Sequence, residues 1–124
     1  MAWTTDELAR IGDAEEVGVA SRRPDGTLRP YVTIWVVRVA DDLYVRAVNG
    51  RSNPWFRRAA AAGEGSIRSG EVEREVAFHP AAPSAAEDIT AAYHAKYDRY
   101  GPAVVGTVVS AAAVDATFVL VPPG

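Results

Sequence analysis

The chain has 124 residues, a formal net charge of −3 and no cysteine, so residues 1–124 read as a single domain in which disulfides, thiolate metal sites and a thiol nucleophile are excluded. Charges of both signs are spread along it, which argues against a nucleic-acid surface. No apolar run approaches membrane-spanning length, and Met1–Glu7 lacks the basic-then-apolar pattern of a signal peptide, so the expected setting is cytoplasmic with no membrane partner. Lys96 is the only lysine among abundant arginine and alanine, a bias that points to a GC-rich bacterial genome.

Thr4 and Glu7 have capping-box spacing and Trp3 faces Leu8 as a staple, which predicts a helix over about residues 5–11. Glu16 to Arg22 reads as a strand, ended by the turn signal Pro24-Asp25-Gly26-Thr27. A long β-branched strand is expected over Leu28 to Val39, and Asp41-Asp42 turns it into a strand over Leu43 to Val48. On the long strand Val32, Ile34 and Val36 share a core face, while Arg29, Tyr31, Thr33 and Trp35 share the other. That second face mixes polar and aromatic groups, which fits a ligand or a subunit contact; packing is the stronger reading for Tyr31 and Trp35.

The next segment, Asn49-Gly50-Arg51-Ser52-Asn53-Pro54, leads into a short helix, Trp55 to Ala62, before Gly63. Asn53 suits the N-cap and Pro54 the first helical position, where its missing N–H costs nothing. Free backbone donors, the positive helix end and Arg51 would converge there on an anion such as phosphate. An ordinary turn and cap would carry the same Gly50 and Asn53.

Ser66 to Phe78 reads as a hairpin turning near Gly70, with Glu71, Glu73 and Glu75 on a solvated face, and His79 to Pro83 reads as a linker. Ser84 and Glu87 look like a second capping box opening a helix to about Arg99, ended by Gly101-Pro102. Ile89, Tyr93, Tyr97 and Tyr100 form its core stripe, and His94 falls on its exposed side. His79 and His94 show no metal-ligand spacing. A last strand is expected over Ala113 to Val121. The fold expectation is therefore mainly β: a six-stranded antiparallel split barrel with two or three helices, closed because open edges would pair with other chains.

Asp25-Gly26, Arg29 to Val37, Leu43-Tyr44-Val45, Gly50-Arg51-Ser52 and Trp55-Phe56-Arg57-Arg58 resemble the flavin-binding split-barrel superfamily, which includes pyridoxamine phosphate oxidases and deazaflavin-dependent nitroreductase-like proteins. Ala92 to Tyr97, Tyr100-Gly101-Pro102 and Ala116 to Leu120 resemble a small bacterial family catalogued as a domain of unknown function. The superfamily resemblance implies a homodimer with FMN or a deazaflavin coenzyme at each subunit interface. It places Arg29, Tyr31 and Thr33 on the cofactor-contacting strand and Asn49, Arg51, Ser52 and Asn53 on the phosphate turn, with Trp55 and Phe56 matching an aromatic pair. The implied activity is hydride or electron transfer to a small, aromatic-type substrate, with no catalytic acid or base assigned. The alternative is a non-catalytic dimeric barrel that binds flavin or another small anion, or has lost its cofactor.

Overall fold

The computed structural model describes residues 3–123. Its first helix, α1 (Thr5–Asp13), starts on the anticipated capping box: the Thr4 hydroxyl accepts from the Glu7 amide, and the Glu7 carboxylate accepts from the Thr4 amide. Leu8 and Ile11 point inward, and the Trp3 indole N–H donates to the Leu120 carbonyl at 3.1 Å. The helix is thereby held as a lid on the sheet.

The remaining elements are β1 (Val17–Ser21), β2 (Val32–Ile34), β3 (Val37–Val39), β4 (Asp42–Arg46), α2 (Pro54–Ala62), β5 (Glu64–Ser69), β6 (Val72–Pro80), α3 (Ala86–Tyr97), α4 (Pro102–Val109), α5 (Ala111–Val114) and β7 (Thr117–Val121). All strand pairs are antiparallel, in the order β2-β1-β5-β6-β7-β4-β3. Among the described residues no helix is long and apolar enough to cross a membrane.

Seven strands replace the six anticipated, because the stretch read as one long strand is two. Strand β2 closes one end of the sheet beside β1, and β3 closes the other beside β4. Only Trp35 and Val36 join them, and three residue steps span at most about 10 Å. The two ends are therefore drawn together, and the sheet curls into a half-barrel. At the crossing, side chains from α3 replace ladder bonds. The Tyr97 hydroxyl accepts from the Val36 amide at 3.2 Å and donates to the Glu15 carbonyl at 3.0 Å, while the Lys96 amine donates to the Val36 carbonyl at 2.7 Å. Trp35 stacks on Tyr97 with ring centroids 3.9 Å apart.

The C-terminal half departs further from the sequence reading. The Ser84–Glu87 capping box does not form: Pro83–Ala85 makes a 3-10 turn, and α3 begins at Ala86 with no side-chain cap. Proline's fixed φ presets the tight turn, so Ser84 falls inside it rather than at a helix cap. Gly101 and Pro102 do more than end a helix, since Pro102 opens α4 at a position that needs no N–H. With α5 taking Ala113 and Val114 out of the last strand, the described residues hold five α-helices rather than two or three. As anticipated, Ile89, Tyr93 and Tyr97 are buried, but Tyr100 is exposed.

Two apolar clusters result. One fills the barrel interior around Ile11, Val45, Ile67 and Phe118; the other lies between β3–β4 and α3–α4, around Tyr44, Tyr93, Tyr97 and Val105. Arg46 ties that second layer together at 2% exposure. Its Nε donates to Thr117 Oγ1 at 3.2 Å, Nη1 to Thr90 Oγ1 at 2.9 Å and the Val108 carbonyl at 3.0 Å, and Nη2 to the Ala86 carbonyl at 3.1 Å. The Tyr93 hydroxyl accepts from its backbone amide at 3.0 Å. Burial lowers the guanidinium's pKa from its ordinary value, yet arginine stays charged in proteins.

Replacing this latch by an apolar side chain, Arg46→Met, is expected to lower unfolding free energy by about 2–4 kcal/mol, the scale of several lost charged hydrogen bonds. An unchanged urea midpoint would show that desolvation of the guanidinium cancels its bonds. Burial also pushes the Lys96 amine from 10.5 down to about 8, against the pull of Glu15 and Asp13. Between pH 8 and 10.5 the unfolded chain then binds the additional proton, so stability rises with pH across that window. The Tyr97 phenol, pushed by burial from 10.0 up to about 12, acts oppositely above pH 10. The urea midpoint should therefore climb from pH 8 to 10 in the native chain, and Lys96→Met should flatten that climb.

Candidate cofactor cleft

The β1 strand leaves the sheet at Ser21 and turns over Pro24 to Thr27. Asp25 Oδ1 accepts from the Thr27 amide at 3.0 Å and from the Thr27 hydroxyl at 2.7 Å, which holds the carboxyl below its usual range. The chain returns through Leu28, paired with Arg22, and through Arg29, Pro30 and Tyr31 before β2 begins. Helix α2 lies against this hairpin, capped by Asn53, whose Oδ1 accepts from the Trp55 amide at 3.3 Å, and ended by left-handed Gly63 at φ 74°.

Between hairpin and helix is a cleft of about 740 Å³ whose walls include Arg22, Arg23, Arg29, Arg57 and Arg58, with Glu64 the one acid among its lining residues. It runs into a hollow of about 330 Å³, where Arg23, Arg29 and Arg58 meet Tyr31, Trp55 and Ser21. Arg22 is engaged by the Gly26 carbonyl and Glu75, and Arg23 donates to the Leu28 carbonyl at 3.0 Å. Among the described residues no carboxylate pairs with Arg23, Arg29, Arg57 or Arg58. Arg29 Nε is buried with no hydrogen-bond partner. A buried donor on a charged group without an acceptor is costly.

Tyr31 forms one wall. Its hydroxyl donates to Ser66 Oγ at 2.8 Å, Ser66 donates on to the Arg74 carbonyl at 3.2 Å, and the Arg68 guanidinium lies 4.1 Å from the ring centroid. The ring is thus fixed in place. Trp55 is buried at 8% and forms another part of the wall.

The structure brings Arg29, Tyr31 and Trp55 together and sends the other sequence-predicted residues elsewhere. Thr33 is exposed on β2 opposite Gly18. Asn49 sits exposed in the left-handed region at φ 63°, and Ser52 is exposed in the following turn. Asn53 is occupied as the cap of α2 and donates from Nδ2 to the Val48 carbonyl at 3.2 Å. Arg51 does not join the helix end and the strand on one spot as expected: its Nε donates to Asp115 at 2.9 Å. The β4–β7 pairing explains this, because it brings the turn holding Asp115 beside the loop that follows β4. Phe56 stacks on Phe118, with centroids 4.5 Å apart, on the opposite side of α2 from the cleft. Sequence reasoning missed Arg22, Arg23, Arg57 and Arg58; the available signal was two arginine doublets, one beside a turn and one on a short helix, each of which reads alone as solvated surface.

A family model described as an uncharacterized protein conserved in bacteria (DUF2255) matches residues 7–120. The chain belongs to that family. Among solved structures its fold is similar to that of an F420 reductase, at 17% identity over 94% of this chain and 93% of that one, with a TM-score of 0.54. An FAD-binding protein from Mesorhizobium loti matches at 12% identity over 100% of this chain and 93% of that one, TM-score 0.50. An FAD and heme binding protein from Mycobacterium smegmatis matches at 20% identity over 98% and 67%, TM-score 0.51. No curated protein matches the chain. The family member described here thus shares the split-barrel fold of these solved structures, in keeping with its half-barrel of antiparallel strands.

Proposed function

We propose that the arginine cleft holds the phosphate end of a flavin-type cofactor, FMN or a deazaflavin, and that the protein is an oxidoreductase acting on a small molecule. The observation that carries this reading is the buried, partnerless Arg29 Nε in a cleft where three more arginines lack a carboxylate partner. Arginine forks suit phosphate oxygens, and like charges gathered without counter-ions favour a polyanion. The cofactors named for the F420 reductase and for the FAD-binding proteins of the same fold lend it support.

On this reading Arg29, Arg23 and Arg58 neutralise the anionic end, Arg57 adds charge at the mouth, and Tyr31 and Trp55 offer aromatic walls to a planar ring. A bound flavin supplies the hydride or electron transfer itself. The chain's own task is to position the ring and keep water from it. A single chain leaves the cleft open to solvent, which favours a homodimer in which a second copy covers the cofactor. The second reading, a binding module without turnover, draws on a specific feature of the smaller hollow: none of its lining residues is a carboxylate or histidine.

Titration of the purified chain with FMN and with deazaflavin, followed by absorbance and fluorescence, tests the reading. Arg29→Met is expected to weaken the preferred cofactor by about 1.5–3 kcal/mol, the value of a charged hydrogen bond, with the circular dichroism spectrum unchanged. Equal affinity for wild type and variant would put the phosphate elsewhere. Binding without oxidation of the reduced cofactor by any acceptor would favour the module over the enzyme, and sedimentation with and without cofactor reports the dimer.

A further inference from the structure

A second cavity, of about 780 Å³, lies across α2 from the arginine cleft. Phe56 and Ala60, one helical turn apart, face it, whereas Arg57, Arg58, Ala61 and Ala62 face the cleft. Its volume is in the range of small-molecule sites. The walls are apolar, with the stacked Phe56 and Phe118 backed by Ile89, Val109 and Val114. At the rim stand Arg51 and Asp115, paired at 2.9 Å with side chains 65% and 70% exposed. An ion pair so exposed is weak, so the guanidinium can exchange Asp115 for another carboxylate or share itself between the two.

A second positive charge lies behind the wall. Arg46 is buried, and all four of its side-chain hydrogen bonds go to neutral oxygens; two of these belong to Ala86 and Thr117, which line the cavity. Among the described residues no carboxylate pairs with it. Two arginines against the single acid Asp115 bias an otherwise apolar chamber toward a negative head group.

We propose that this cavity binds a small amphipathic carboxylate of the medium-chain fatty-acid class, its chain along the apolar walls and its carboxylate at Arg51. The proposal is independent of the cofactor reading, since α2 separates the two sites and they share no lining residue.

The test is a nuclear magnetic resonance titration of the full chain with octanoate and, in parallel, with the neutral octanol. Octanoate is expected to shift the Ile89, Val109, Val114 and Phe118 amides saturably and to bind more tightly than octanol. Arg51→Ala, exposed and outside the cofactor cleft, should weaken octanoate about ten-fold, the effect of losing one charge-assisted partner, leave octanol unchanged and leave FMN affinity unchanged. Ala60→Trp, at an exposed helix position facing the cavity, should abolish binding of both ligands. Equal affinity for octanoate and octanol, saturable shifts confined to other residues, or no saturable shift at millimolar octanoate would each overturn the proposal.

Discussion

The structure turns on two residues, Trp35 and Val36, that carry the chain from one end of the sheet to the other. A strand entering this crossing loses its ladder partners, and a buried backbone amide or carbonyl without a partner is costly. Tyr97 and Lys96 supply the missing bonds at Val36 from a helix some 60 residues downstream. The half-barrel can close only if α3 docks, and α3 docks through the same side chains that complete the closure. Tyr93 and Arg46 repeat the arrangement at the end of β4, so the outer helical layer is bonded into the sheet rather than merely laid on it.

Closure also determines what surrounds α2. With β1 drawn into the curled sheet, the turn following it stands beside the helix, and two arginine doublets distant in sequence come to face each other across a cleft. Such a gathering of like charge costs stability until something negative enters. Arg29 Nε lies buried there without a hydrogen-bond partner. The helix keeps this cationic side apart from an aromatic side, where Phe56 meets Phe118. One nine-residue helix thus serves two chemically unlike chambers.

Much of this was legible in the chain itself. The Thr4–Glu7 capping box, the Asn53 cap with Pro54 after it, the turns at Gly26 and Gly70 and the alternation of Glu73, Arg74, Glu75 and Val76 are local, and local hydrogen bonding settles them. Arg29, Tyr31 and Trp55, which the resemblance assigns to cofactor contact, line one hollow. The strand break at Trp35-Val36 is invisible because Val32 to Val39 is β-branched apart from Trp35 and Arg38, and pattern alone cannot distinguish one strand from two. The α4 segment, Pro102–Val109, was missed for a related reason: its valines read equally well as strand or buried helix.

By itself, then, the sequence determined the capping box of α1, the Asn53-Pro54 start of α2 and the turns at Gly26 and Gly70, since each depends on residues within a few positions of one another. Only the tertiary structure decided partnership. Arg51 reads in sequence as a phosphate ligand because its neighbours form an anion-ready turn; the pairing of β4 with β7 brings Asp115 to 2.9 Å from its guanidinium, a partner no local pattern announces. Arg46, read as one residue of a strand, is the buried latch because the register places it opposite Thr117 and beneath α3 and α4. A charged side chain's role depends on which groups of opposite or neutral character come within a few ångströms, and those contacts join positions dozens of residues apart that no local pattern relates.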